Sequence, residues 1–292
     1  MILAPLRGVT IRCFRRVFAD EIRSAGFTEA VTPFISANEG VDPLRDRELR
    51  GGTGDEPVRL TPQFIGKSPA ALRACLVRIR EAGYETADLN CGCPYPMVRN
   101  KGRGSGLLRT PEVLERLVSV GCEVMGPGRF SVKARLGVTR RDELLALLPM
   151  LNAYPLRFLT VHARTAVQMY GGDCDAAALA DVARAARMPL VVNGDLPLPL
   201  PEGVAADRAM VGRAFVRGLG RRPDIAGLLR NYAEASRAEL GGAPPVLGRL
   251  KELLAYFADQ PAWRRKWQLA KVCRSLDELL SVIGSVGCDF LK

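Results

Sequence analysis

Cys93 is the residue whose setting most favours chemistry. It stands between Gly92 and Pro94, just beyond the short apolar run Thr86–Leu89. Glycine permits an unusual backbone and proline stiffens the exit, so the thiol is presented rather than packed. A thiol held uncharged can serve as a general acid. Cys91, two residues earlier, reads as a small buried hydrophobe. The segment Lys101-Gly102-Arg103-Gly104-Ser105-Gly106 that follows is basic and glycine-rich. Such a loop can close over a substrate and bring cations near phosphates.

Other polar residues stand inside or just beyond apolar runs. Lys133 lies within Phe130–Ala134. A lysine there is costly unless it meets an anion or an electron-rich ligand, or reaches solvent from the strand tip. Gln63 offers a donor and an acceptor, which suits the edge of a pyrimidine-like ring. A satisfied core glutamine is the plainer reading. Pro5, Leu6 and Arg7 end the first run, Asn90 follows the fourth, and His162 and Arg164 follow the sixth. Asn193, Gly194 and Asp195 end the seventh run, and Gly212 and Arg213 end the eighth. Bare glycine amides beside an arginine after the last two runs suit a phosphate. Two ordinary turns with a surface arginine are the alternative.

These residues need a scaffold that brings run ends together. Ile2–Pro5, Glu29–Phe34, Arg59–Ile65, Thr86–Leu89, Phe130–Ala134, Phe158–Val161, Leu190–Val192 and Arg208–Val211 recur roughly every 30 residues. Helical periodicity separates most of them, over Pro69–Ala82, Pro111–Met125, Arg140–Asn152 and Asp175–Ala186. Eight strands alternating with helices predict a (β/α)8 TIM barrel, with its site at the C-terminal strand ends. Asn38–Thr61 reads as a charged loop, and Pro197–Pro201 leaves little room for a helix. After Arg213 the strand pattern stops. Pro223–Glu239, Pro245–Ala258 and Trp263–Val286 read as helices. The expected organisation is therefore a catalytic barrel over residues 1–220 and a small all-helical domain over 221–292.

Charge is uneven along the chain. Arg213 through Arg274 hold 13 Lys/Arg against 5 Asp/Glu, which is most of the net charge of +11. A basic tail on a near-neutral body points to a polyanion partner, or else to a solvated helical face. The eight cysteines show no framework spacing, Cys91 and Cys93 form C-x-C, and there is one histidine, so no metal site is expected. No apolar run approaches the roughly 18 residues of a membrane span. The start of the chain reads as a strand rather than a leader, so a cytoplasmic protein is expected. Nothing in the pattern demands a protein partner, and a monomer is expected.

Asn90-Cys91-Gly92-Cys93-Pro94, followed by Lys101-Gly102-x-Gly104-Ser105, resembles the active-site signature of the tRNA-dihydrouridine synthases. The resemblance runs in order from Ala4-Pro5-Leu6 through Gln63, Lys133, His162-Ala163-Arg164-Thr165, Gln168, Tyr170 and Asn193-Gly194-Asp195 to Gly212-Arg213. It implies FMN over the barrel mouth, lined by Pro5, Leu6 and Arg7. Gln63 and Lys133 would contact the ring, and His162 would lie beside it. Asn193, Gly194, Asp195, Gly212 and Arg213 would hold the phosphate end. NADPH, with NADH possible, would reduce the flavin. A tRNA uridine would then receive hydride from flavin N5 at C6 and a proton from Cys93 at C5. Asn90 and Arg164 would lie near the uracil, with Lys101 on the substrate side.

The basic tail is similar in architecture to the family's RNA-binding domain. In Trp263-Arg264-Arg265-Lys266-Trp267 the cations could neutralise phosphates and an exposed indole could stack on a base. Alternatively, the tryptophans pack the small helical core. Ala176 stands where the family usually has tryptophan. Two other functions compete. A flavoenzyme for free pyrimidines, resembling dihydroorotate or dihydropyrimidine dehydrogenases, would need no basic tail. A non-catalytic RNA-binding barrel would need no Cys93, Lys133 or His162.

Overall fold

The eight apolar runs become eight parallel strands in the computed structural model, which describes residues 1–196, 200 and 202–285. They are β1 (Ile2–Leu3), β2 (Glu29–Val31 and Ile35–Ser36), β3 (Arg59–Thr61 and Gln63–Ile65) and β4 (Ala87–Cys91). Then come β5 (Phe130–Gly137), β6 (Leu159–Thr165), β7 (Leu190–Asn193) and β8 (Arg208–Val211). Strands β2 and β3 are each in two pieces because Pro33 and Pro62 cannot donate to a ladder. Each strand pairs with the next, and β8 pairs with β1, so the ring closes as a TIM barrel.

Closure turns every second side chain inward, because side chains alternate along a strand. Register then stacks the inward residues. Gln63 is level with Asp88, Asn90 with Lys133, Arg135 with His162, and His162 with Asn193. The three residues Ser131, Lys133 and Arg135 thus climb one face of β5 toward the mouth.

Two buried ion clusters brace the barrel. At the N-terminal end of the strands, Glu29 takes hydrogen bonds from Arg157 Nη2 (2.8 Å), Arg208 Nη1 (3.1 Å) and Thr61 Oγ1 (2.8 Å). Burial alone would raise its pKa, but these partners carry it below the ordinary glutamate value. Between β2 and β3 the chain makes a single 3-10 turn, Pro43–Arg45. That charged connection is held instead by fully buried Arg15, which bonds Glu48 (2.8 Å) and Glu56 (2.7 Å).

Helices cover the outside at Pro69–Glu81, Pro111–Met125, Glu143–Leu151 and Ala176–Ala185. The third begins later than its periodicity suggests, because Glu143 folds back to accept from the amides of Val138, Thr139 and Arg140. Residues 197–199 and 201 lie outside the described set, and no helix occurs between Asn193 and Arg208 among the described residues.

After the helix Arg213–Leu219 come four more, Ile225–Leu240, Ala243–Ala255, Pro261–Val272 and Leu276–Gly284. The expected single helix from Trp263 to Val286 is two. Ser275 and Glu278 form a capping box that starts the second, a signal the hydrophobic period conceals. Tyr232 packs on Phe14 and Phe18 at 6.3 and 6.1 Å, and one continuous apolar cluster runs from the barrel into these helices. No helix among the described residues is long and apolar enough to cross a membrane.

The Glu29 cluster generates a stability prediction. Arg157→Ala leaves a buried carboxylate short of its main partner and should cost about 3–5 kcal/mol at pH 7. In the parent the folded pKa lies below the unfolded value of about 4.3, so the stabilisation is complete above that value and is lost as pH falls through the folded pKa. The gap between variant and parent should therefore narrow as pH is lowered below about 4. Denaturant titrations at several pH values measure it, and a gap independent of pH would mean that Arg157 acts by packing rather than by charge.

Candidate active site

Four backbone groups in Gly92 and Cys93 fix the thiol's position. Asn90 Oδ1 accepts from the amides of Gly92 (3.1 Å) and Cys93 (2.8 Å). Arg135 Nε donates to the Gly92 carbonyl at 2.9 Å. Ser105 binds the Cys93 carbonyl twice, through Oγ at 2.9 Å and its amide at 3.1 Å. Gly104, at φ +58°, lets this approach happen, because a Cβ there would lie 2.8 Å from that of Cys93. The glycine-rich segment is therefore folded onto the cysteine. Burial raises the Cys93 pKa above the ordinary thiol value, so its proton is retained at neutral pH.

Cys93 lines a cleft at the C-terminal strand ends, which takes residues at or just beyond the ends of β1, β4, β5, β6, β7 and β8. Lys133 forms part of its wall and donates to Asn193 Oδ1 at 2.8 Å. Desolvation, with Arg135 nearby, pushes its pKa down to about 8, which leaves the ammonium mostly charged at neutrality. His162 also lines the cleft. Burial, then the surrounding cations, hold its pKa far below the ordinary value, so the imidazole is neutral. Its Nδ1 is buried without a hydrogen-bond partner.

A half-buried ammonium with one neutral partner, and a buried imidazole nitrogen with none, among the described residues, suit a polar aromatic ligand. At one edge, Gly194 (φ +125°) and Gly212 keep the backbone bare. A Cβ at Gly212 would meet that of Ala4 at 2.9 Å. Arg213 pairs with Asp195 beside them. This donor set fits a flavin: Lys133 and His162 would meet a polar ring, and the bare glycine edge with Arg213 would meet an anionic group.

Most of the sequence-predicted residues meet here. Pro5, Leu6 and Arg7 line the cleft, as do Asn90, Cys93, Lys133 and His162. Asn193, Gly194 and Asp195 join them with Gly212 and Arg213. Others lie elsewhere. Gln63 sits beneath the floor, fully buried, and its amide is engaged by Asp88 and Asn90 at 2.7 Å each. Arg164 is not among the residues that line the cleft. It donates to the Gly172 carbonyl (2.8 and 3.0 Å) and to Asp195 (3.2 Å), because the loop after β6 folds back onto it. Lys101 is exposed and off the lining. Cys91 is fully buried in β4.

The tail motif divides. Arg264 and Arg265 are exposed. Lys266 instead donates to the Ile283 carbonyl at 2.8 Å and lies over the Trp263 ring. Trp263 is buried against Phe257, with Nε1 on the Gly220 carbonyl at 2.8 Å, so it is a packing residue and offers no exposed indole. Trp267 is half-buried beneath Lys271.

Sequence reasoning assigned no role to Phe34 or Tyr95, which line the cleft, and only a motif position to Tyr170. Arg135, which the sequence places with Lys133 among the polar groups at the site end of its strand, also bonds the Thr165 (2.9 Å) and Met169 (2.7 Å) carbonyls and lies over Tyr170. Phe34 and Tyr95 carry no sequence signal, since both stand in irregular segments.

A family model described as dihydrouridine synthase matches residues 2–235 of this chain. A tRNA-dihydrouridine(16) synthase of Ralstonia nicotianae is 28% identical over 98% of this chain and 94% of that protein. The tRNA-dihydrouridine synthase B of Serratia marcescens is 28% identical over 87% of this chain and 74% of that one. A probable tRNA-dihydrouridine synthase 2 of Bacillus subtilis is 30% identical over 73% and 68%. Among solved structures, an old yellow enzyme homologue from Zymomonas mobilis superposes with a TM-score of 0.54 at 13% identity, over 74% of this chain and 85% of that one. At that identity it speaks for the barrel alone.

The cleft predicts selective thiol reactivity. In the folded protein a small alkylating reagent should modify Cys93 well before Cys91, as read by site-resolved mass spectrometry. The Cys93 rate should still be climbing above the pH at which an ordinary thiol, of pKa about 8.5, is fully ionised. Faster modification of Cys91 would contradict the site.

Proposed function

The chain belongs to the dihydrouridine synthase family, and from that premise we propose that it reduces a tRNA uridine to 5,6-dihydrouridine with FMN and NADPH, NADH being the weaker expected alternative. The observation that carries this reading is Cys93, protonated and held by its backbone in the cleft that Lys133 and His162 also line. Bound FMN, reduced by NADPH, supplies the hydride that saturates C6 of the uracil.

The protein's own residues do the rest. Cys93 Sγ gives its proton to C5, and the loop's hydrogen bonds keep the thiol at one height above the cleft floor. Lys133, oriented by Asn193, would bring positive charge to the flavin ring. His162, neutral, would offer a hydrogen bond without adding a further buried charge. Gly194, Gly212 and Arg213 would hold its phosphate end. Asn90 lines the cleft, but its oxygen is committed to the loop and its nitrogen to Gln63, so its part is to hold the loop. The uridine must be turned out of folded tRNA, at a cost of a few kcal/mol, which phosphate contacts elsewhere offset. Arg264 and Arg265 on the helical tail are the proposed contacts of that kind. The protein acts on tRNA in the cytoplasm as a monomer.

The relative matched nearly end to end, tail included, is named for position 16. The Serratia and Bacillus relatives align over less of both chains. Position 16 is therefore the proposed target. Mapping dihydrouridine in tRNA from cells lacking this protein tests it. Loss at position 16 alone is expected. Loss at another position would reassign the target, and unchanged tRNA would turn attention to free pyrimidines.

Three further outcomes are expected. Purified protein should release FMN on denaturation, and Cys93→Ala should keep FMN and NADPH oxidation while dihydrouridine formation falls about 10²-fold or more. Loss of both half-reactions together would remove Cys93 from its role. On the tail, Arg264→Ala with Arg265→Ala should weaken tRNA binding. It should also lower the slope of log affinity against log salt by about 0.9 per lost phosphate contact, sparing NADPH oxidation. Unchanged slope and affinity would show that this face does not touch RNA.

A further inference from the structure

Beneath the cleft lies a chain of buried polar groups with a direction. Ser131 Oγ donates to Asp88 Oδ2 at 2.6 Å, and Gln63 Nε2 donates to Asp88 Oδ1 at 2.7 Å. Asn90 Nδ2 donates to Gln63 Oε1 at 2.7 Å, and Asn90 Oδ1 accepts from the amides of Gly92 and Cys93. Asp88 and Gln63 are fully buried, and Asn90 nearly so. Side-chain amides can present either end, and their neighbours decide which. An ionised carboxylate only accepts. It therefore forces the nitrogen of Gln63 toward itself and the oxygen toward Asn90. That in turn forces the nitrogen of Asn90 toward Gln63 and its oxygen toward the cysteine loop. Ser131 sets no direction, because a hydroxyl can donate or accept.

We propose that Asp88 is a positioning residue for Cys93, acting through the amides of Gln63 and Asn90 to hold the loop that presents the thiol. Reversing either amide would set oxygen against oxygen, or nitrogen against the loop's own N–H groups. The loop would lose the acceptor for two of its backbone amides, and the thiol its fixed height. No contact between Asp88 and substrate or cofactor is required. The inference rests on the reading of Cys93 as the proton donor, but its structural half can be measured without catalysis.

The test exploits polarity. Gln63→Met keeps the volume and removes both the donor to Asp88 and the acceptor for Asn90. It should lower dihydrouridine formation by about 10²-fold, the scale of a misplacement of about 1 Å. It should also change the alkylation rate of Cys93, because the loop is released. Gln63→Glu combined with Asp88→Asn instead keeps every donor and acceptor with the charge moved one position. The new amide at position 88 donates to the new carboxylate at position 63 and accepts from Ser131, and the carboxylate accepts from Asn90. The double variant should keep most of the parental turnover and alkylation rate. Asp88→Asn alone should be mild, since its oxygen can still accept from Gln63 while its nitrogen turns to the Ser131 hydroxyl.

Folding of each variant is checked by thermal unfolding. A Gln63→Met protein with parental alkylation and turnover would overturn the proposal. So would a folded double variant no better than Gln63→Met in either readout. If the parent itself makes no dihydrouridine, the functional reading fails while the alkylation arm still decides whether Asp88 governs the loop.

Discussion

The peptide groups of Gly92 and Cys93 have to find partners in a buried loop, and the barrel supplies all four. Two amides go to one side-chain oxygen, one carbonyl to an arginine, and the other to a serine twelve residues on. A buried backbone group left unpaired costs about as much as a lost hydrogen bond, so the loop has one low-energy conformation. Preorganisation of this kind lets a thiol act without reordering its surroundings at each turnover. The rest of the site is arranged around that fixed point, and the segment 104–106 is shaped by glycines that let it close on the cysteine.

The second constraint is charge. Lys133 and Arg135 enter the same barrel end two residues apart, with Arg7 and Arg213 at the rim. Burying cations together is unfavourable, and the protein answers in two ways. Arg135 donates hydrogen bonds to three backbone carbonyls and thereby ties the β4 loop to the β6 loop. Lys133 has a single neutral partner and keeps capacity for a ligand. His162 avoids the problem by staying neutral. At the opposite end of the barrel the arrangement is inverted, with one buried carboxylate gathering several arginines. That end serves stability, in keeping with the division of labour in such barrels.

The tail shows how little a count of charges says about what each does. Lys251 and Lys266 cap helix ends or turns by donating to backbone carbonyls. Arg12 on the barrel reaches Glu239 on the tail at 3.4 Å, and Arg249 with Glu252 lies against Gly8, next to Arg7 of the cleft rim. The helices are therefore braced on the loop that shapes the site rather than hung from a linker. Arg264 and Arg265 remain on an exposed face of the helix Pro261–Val272.

Local rules along the chain were enough to specify the barrel, its eight strands and most of the residues that line the cleft. Short apolar runs at regular spacing make strands, period two selects the inward side, and strand ends converge. Those rules are silent on what each polar side chain holds. Gln63 and Arg164 stand in the expected motifs, yet one is spent beneath the floor and the other behind the wall. Trp263 and Lys266 look like an RNA-facing pair and instead close the helical core. Gln63 meets Asp88 and Asn90 across 25 and 27 residues of chain. Which donor meets which acceptor depends on strand register and on how loops fold back, and no window along the chain contains that information. Only closure of the barrel brought Asp88, Gln63, Asn90 and Cys93 into one line.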